Sequence, residues 1–91
     1  MNYKAVYKYS IPTNTGVSVH KMPKDAEILC VQLQAGLPQI WALVNPDAEK
    51  EERKIAVVGT GFNHEFLSKS SYVGTFQEAE GALIWHVFEL L

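Results

Sequence analysis

The chain is poor in cysteine, in any excess of charge and in long apolar runs, and each shortage removes a class of protein. Its single cysteine, Cys30, rules out an intrachain disulfide and so the stapled scaffolds of many small secreted domains. The formal net charge is −2, without the surplus of Lys and Arg that phosphate contacts need, so nucleic acid is not an expected partner. No stretch approaches the roughly 18–20 apolar residues of a membrane span. The start, Met1 to Lys8, alternates charged with aromatic residues and lacks the continuous apolar stretch of a signal peptide. No membrane partner is expected, and a reducing cytoplasm is the default location. HxH, HxxxH and CxxC spacings are also missing, so no metal site and no cofactor are expected.

What is present is period-two alternation. The length of 91 residues suits one domain, here a single β-rich unit over residues 1–91. The hydrophobic fraction of 47% argues against wholesale disorder. Tyr3, Ala5, Tyr7, Tyr9 and Ile11 alternate with Lys4, Val6, Lys8 and Ser10, which reads as a strand with one half-solvated face. Turn-favouring residues follow over Pro12-Thr13-Asn14-Thr15-Gly16, and Val17 and Val19 then alternate with Ser18 and His20, so a hairpin of these two strands is expected.

Ile28–Gln34 reads as a third strand, with Leu29, Val31 and Leu33 on one face, and Ala35–Pro38 as a connector. Gln39–Val44 is apolar on both faces, as a central strand is. The charged run Asp47–Lys54 reads equally as a helical turn or a solvated loop. A short strand over Ile55–Val58, an irregular stretch over Phe62–Ser71 and a strand over Tyr72–Phe76 follow. Gly74 marks a bulge or a close approach in that strand. A turn at Glu78–Gly81 leads to a last strand over Ala82–Leu90. About seven short strands with regular turns predict a mainly β fold, a small antiparallel sandwich or a partly open barrel, with at most one helical turn.

Few residues carry chemistry. Gly59-Thr60-Gly61 follows a strand, where backbone N–H groups can cradle an anion, but neither the third glycine of a dinucleotide fingerprint nor the Gly-Lys-Ser/Thr of a P-loop is present. A tight turn is the plainer reading. His86 falls on the strand face of Ile84, Phe88 and Leu90, opposite Leu83, Trp85 and Val87, and no carboxylate or second histidine lies at a ligand spacing. His20 and His64 are isolated and expected to be exposed. Cys30, mid-strand between Leu29 and Val31, reads as a small partly buried hydrophobe. No catalytic residue is assigned.

So short a chain cannot easily cover both faces of Gln39–Val44 and of Ala82–Leu90 by itself, so self-association is expected. A ligand, if there is one, is expected at Gly59, Thr60, Gly61 and His86, with Trp41 or Trp85 as a stacking wall.

Six stretches, taken together, carry a resemblance. They are Tyr7-Lys8-Tyr9, Met22–Leu29, Trp41–Pro46, Val58–Gly61, Tyr72–Gln77 and Trp85–Glu89. On these the sequence resembles a family of small accessory proteins encoded by tailed bacteriophages and prophages. In many relatives a histidine follows the Gly-Thr-Gly, whereas Phe62 stands there in this chain. The resemblance implies a source and a size class, and no activity or catalytic residues. The expectation is therefore a phage accessory protein in the cytoplasm of a bacterial host. It would act by binding a protein of the host, or in regulation, as a homo-oligomer. A small-molecule or nucleotide binder is the alternative, ahead of an enzyme or a virion component.

Overall fold

Alternating strands with one apolar face bury that face best against a second sheet. In a computed structural model, which describes residues 2–12 and 14–91, seven strands do so. They are β1 (Ala5–Ser10), β2 (Gly16–Pro23), β3 (Glu27–Gln34), β4 (Leu37–Val44), β5 (Lys50–Gly59), β6 (Ser70–Glu78) and β7 (Leu83–Leu90). Two 3-10 turns, Glu65–Lys69 and Ala79–Gly81, complete the elements. Three strands form one sheet in the order β1-β4-β3, four form another in the order β2-β5-β7-β6, and every neighbouring pair is antiparallel. The sheets are not closed into a barrel, so the sandwich has four edge strands.

Side chains from the two inner faces meet between the sheets. Val31 and Ile40 from the three-stranded sheet pack with Ile55, Val57, Phe76 and Val87 from the other, and Ile11 joins them. Met22, Ala26, Ala42 and Val44 form a second cluster at one end. Beside it Arg53 reaches inward from β5. Its Nε and Nη2 donate to the two carboxylate oxygens of Glu89 on β7, and its Nη1 donates to the Ala26 carbonyl at 2.9 Å.

Several expectations are corrected. The first two strands do not form a hairpin. β1 pairs with β4, which is apolar on both faces and gains a neighbour on each side, and the chain then passes to β2 in the other sheet. Of the turn expected before β2, Thr13 lies outside the described residues. The charged run is neither helix nor loop from Lys50 onward. β5 starts there and pairs with β2 through Met22 opposite Glu51 and His20 opposite Arg53, its alternation hidden because both faces are charged.

Leu29 does not share a face with Val31. A register shift between Ile28 and Cys30 leaves Leu29 exposed and turns Val31 into the core. The β3–β4 connector is only Ala35-Gly36, both at positive φ (50° and 80°), a two-residue hairpin turn. At Gly74 both readings hold. The register slips between Tyr72 and Gly74, and a Cβ on Gly74 would stand 2.6 Å from Cγ1 of Val31 in the facing sheet.

Candidate functional site

β5 leaves its sheet at Gly59, paired with Trp85, and turns through Thr60 and Gly61. Gly61 takes a φ of +90°, and the Phe62 N–H donates to the Gly59 carbonyl across the turn at 3.5 Å. Gly59 lacks a side chain for a different reason, since a Cβ there would meet the Phe62 ring at 3.2 Å. The stretch is thus a tight turn that seats an aromatic ring. The five-residue 3-10 turn that follows gives no helix end for a phosphate.

The turn places Thr60 on the outer face of the four-stranded sheet beside His86. Thr60 Oγ1 lies 2.6 Å from His86 Nε2, and Thr75 Oγ1 lies 3.0 Å from Nδ1. The chain continues from Thr75 Oγ1 to the Tyr72 hydroxyl at 2.6 Å, and the Tyr72 ring meets Phe88 edge-on at 5.5 Å. A hydroxyl donates or accepts, so the imidazole is satisfied in either tautomer. The partner at Nδ1 is an uncharged hydroxyl where a nucleophile–base pair carries an orienting acid. What the network does chemically is fix the His86 ring and leave hydroxyls at the surface.

Below the turn, Gly59, Thr60, Phe62, Leu83, Ile84 and Trp85 line a shallow apolar groove of about 290 Å³. Trp85 Nε1 donates to the Glu78 carboxylate at 2.7 Å, so the charge touching this groove's tryptophan is acidic and ill suited to a phosphate. Gly59, Thr60, Gly61, Trp85 and His86 therefore share one end of one sheet. Trp41 does not join them. It lies on β4 between Lys8 and Cys30, on the outer face of the other sheet, and builds no common wall with Trp85.

His20 and His64 are half-buried rather than exposed. His20 Nε2 lies 2.7 Å from Ser18 Oγ, and burial lowers its pKa. His64 stacks on Phe66 with centroids 4.9 Å apart. Among the described residues no three His, Cys, Asp or Glu side chains come together in a metal-ligating group.

Sequence reasoning missed Tyr72 and Thr75 as partners of His86. No local spacing announces them, because they arrive across β6 with its bulge. It also missed how the two outer faces differ. Across the four-stranded sheet, Val17, Ala56, Phe88 and Tyr72 form one row, and Val58, His86 and Thr75 the next. Ala56 and Val58 are sunk among taller neighbours, whereas Val17, Val19, Tyr72 and Ile84 stay 38–61% exposed. No formal charge falls in these two rows; the rows beyond them carry Lys54 beside Val19 and Glu52 beside Lys21. The outer face of the other sheet is instead laced with polar groups. Lys8 bonds Gln34 at 2.7 Å and Ser10 bonds Gln39 at 2.9 Å between Val6, Trp41 and Leu43.

The fold and the surface define a class: a two-sheet antiparallel β-sandwich that presents a sheet face with an uncharged apolar band and only shallow depressions. A family model described as a domain of unknown function (DUF7352) matches residues 2–91, and the chain belongs to that family. No curated protein and no solved structure matches the chain.

Proposed function

We propose that this protein works by binding other proteins, through the outer face of the four-stranded sheet, and that it self-associates. One observation carries the reading. The two adjacent rows from Val17 through Phe88 to Tyr72 and from Val58 through His86 to Thr75 are free of formal charge, and Lys54, Glu52 and Lys21 lie in the rows beyond. That is the anatomy of an interface, with a charge-depleted apolar centre holding aromatics inside a polar margin. The likeness to small proteins of tailed bacteriophages adds the setting: an accessory protein in the cytoplasm of a bacterial host, whose partner is a host protein.

Capture from a host lysate on immobilised protein tests this. Wild type and Val6→Asp, altered on the other sheet, are expected to retain the same specific protein, and Tyr72→Asp is expected to lose it. Equal capture by all three would contradict the reading. A second reading rests on the Phe62–Trp85 groove, which suits a small uncharged ring better than a nucleotide.

A further inference from the structure

The four edge strands of the sandwich are not equally protected. An open edge offers unpaired N–H and C=O groups to any passing strand, and bulges, charges or a covering neighbour normally block it. β3 carries the bulge at Leu29, and β6 carries the bulge after Tyr72. These two edges also close on each other, Gly74 against Val31. β1 carries Lys8 at mid-strand.

β2 has no bulge, and its one formal charge, Lys21, sits two residues from its end rather than at mid-strand. It pairs with β5 in unbroken register from Gly16 to Pro23, its first proline is its last residue, and Gly16–His20 has no formal charge. Of its outward side chains, Val17 and Val19 are 47% and 53% exposed; Val17 lies in line with Ala56 and Phe88, and Val19 with Lys54 and Leu90.

We propose that β2 pairs antiparallel with β2 of a second copy, joining two four-stranded sheets into one of eight strands. This deepens the binding reading above by naming one partner and the edge that meets it. The occupant follows from self-complementarity. A two-fold axis through Ser18 sets Val17 opposite the partner's Val19, and Val19 opposite the partner's Val17. Apolar then meets apolar on the outer face. In the same register His20 faces the partner's Gly16 and Lys21 faces the partner's Thr15, so no like charges are opposed.

Moving the axis to Val19 keeps one valine pair, Val19 on Val19, but sets Val17 against the partner's Lys21, so one of the two matches is lost. An eight-residue strand spans about 27 Å at ~3.4 Å per residue. One pair of edges is therefore smaller than the roughly 800 Å² per partner of a standard interface. The dimer is expected to dissociate in the micromolar range.

The test uses the intact chain. Light scattering from 5 to 500 µM (a working range of about two decades around the expected Kd) should show mass rising from the 10.2 kDa of one chain towards twice that. Amides of β2 should exchange more slowly at the higher concentration. Val19→Lys, at an exposed position, should weaken dimerisation roughly tenfold or more, by placing charge against Val17. In a Cys30→Ser background, Val17→Cys with Val19→Cys should form an interchain disulfide on oxidation, and Val17→Cys alone should not.

A monomer at 500 µM would overturn the pairing. So would a dimer that Val19→Lys leaves intact, or one whose β2 amides ignore concentration. Tyr72 lies three strands from β2, ~14 Å away. Loss of host-protein capture by Tyr72→Asp therefore reports on the binding face separately, whichever way the dimer test falls.

Discussion

Gly74 on β6 and Val31 on β3 set the distance between the two sheets: a methyl group on Gly74 would stand 2.6 Å from Cγ1 of Val31. Val31 is buried and branched at Cβ, so it cannot swing aside cheaply. Gly74→Ala is expected to destabilise by about 1–3 kcal/mol through overpacking. Adding Val31→Ala should restore room, so the double variant should be more stable than the sum of the single losses. Urea unfolding of all four proteins measures this, and strict additivity would mean that the contact does not set the spacing.

The Arg53–Glu89 pair should matter more than an ordinary surface bridge. The side chains are only 16% and 14% exposed, and Arg53 also holds the Ala26 carbonyl. The hydrogen bond to Glu89 raises the already high pKa of Arg53, so it stays charged. Glu89→Gln leaves that charge half-paired and should cost about 3 kcal/mol, the low end for an orphaned buried ion. Arg53→Met with Glu89→Leu should recover most of the loss. Denaturant midpoints check both, and a negligible effect of Glu89→Gln would mark the pair as dispensable.

His20 predicts a pH dependence. Burial lowers its pKa below the ordinary value near 6.5, so the unfolded chain takes up a proton more readily than the folded one. Its contribution is fully present above about pH 6.5 and is lost as pH falls through the lower folded value. The stability gap between wild type and His20→Gln should therefore shrink from pH 7.5 to pH 5.5. Parallel unfolding curves at the two pH values measure it, and a constant gap would contradict the assignment.

Nucleotides, including cyclic dinucleotides, should leave the melting temperature unchanged. The groove beside Thr60 and His86 is lined by apolar residues, and its tryptophan is bonded to the Glu78 carboxylate. Binding at 100 times Kd would stabilise by about 2.7 kcal/mol, which a thermal-shift assay detects readily. A clear shift with any nucleotide would favour the small-ligand reading over protein binding.

How far these features could be read in advance depended on what recorded them. Period-two alternation is a local property, so β1, β4 and β7 were legible from their apolar positions, as was His86 on the face of Ile84 and Phe88. The N-terminal half of β5 was not, because Lys50–Lys54 is charged on both faces and shows no contrast to read. Partner choice was hidden as well. That β1 joins β4 rather than β2 depends on how the remaining strands pack, which no local window contains. The candidate site fell between these cases. Gly59–Gly61 and His86 stood out by residue type, but Thr75 and Tyr72 reach His86 only through a bulged pairing, and Trp41 was separated from Trp85 by the division into two sheets.

Site-specific photo-crosslinking in bacteria tests most directly whether the uncharged band of the four-stranded sheet is the working surface. A benzophenone amino acid would replace Tyr72 on the four-stranded sheet, or Val6 on the three-stranded one, in otherwise unchanged protein. The account predicts discrete protein adducts from position 72 and none from position 6. Adducts from position 6 with none from position 72 would contradict it.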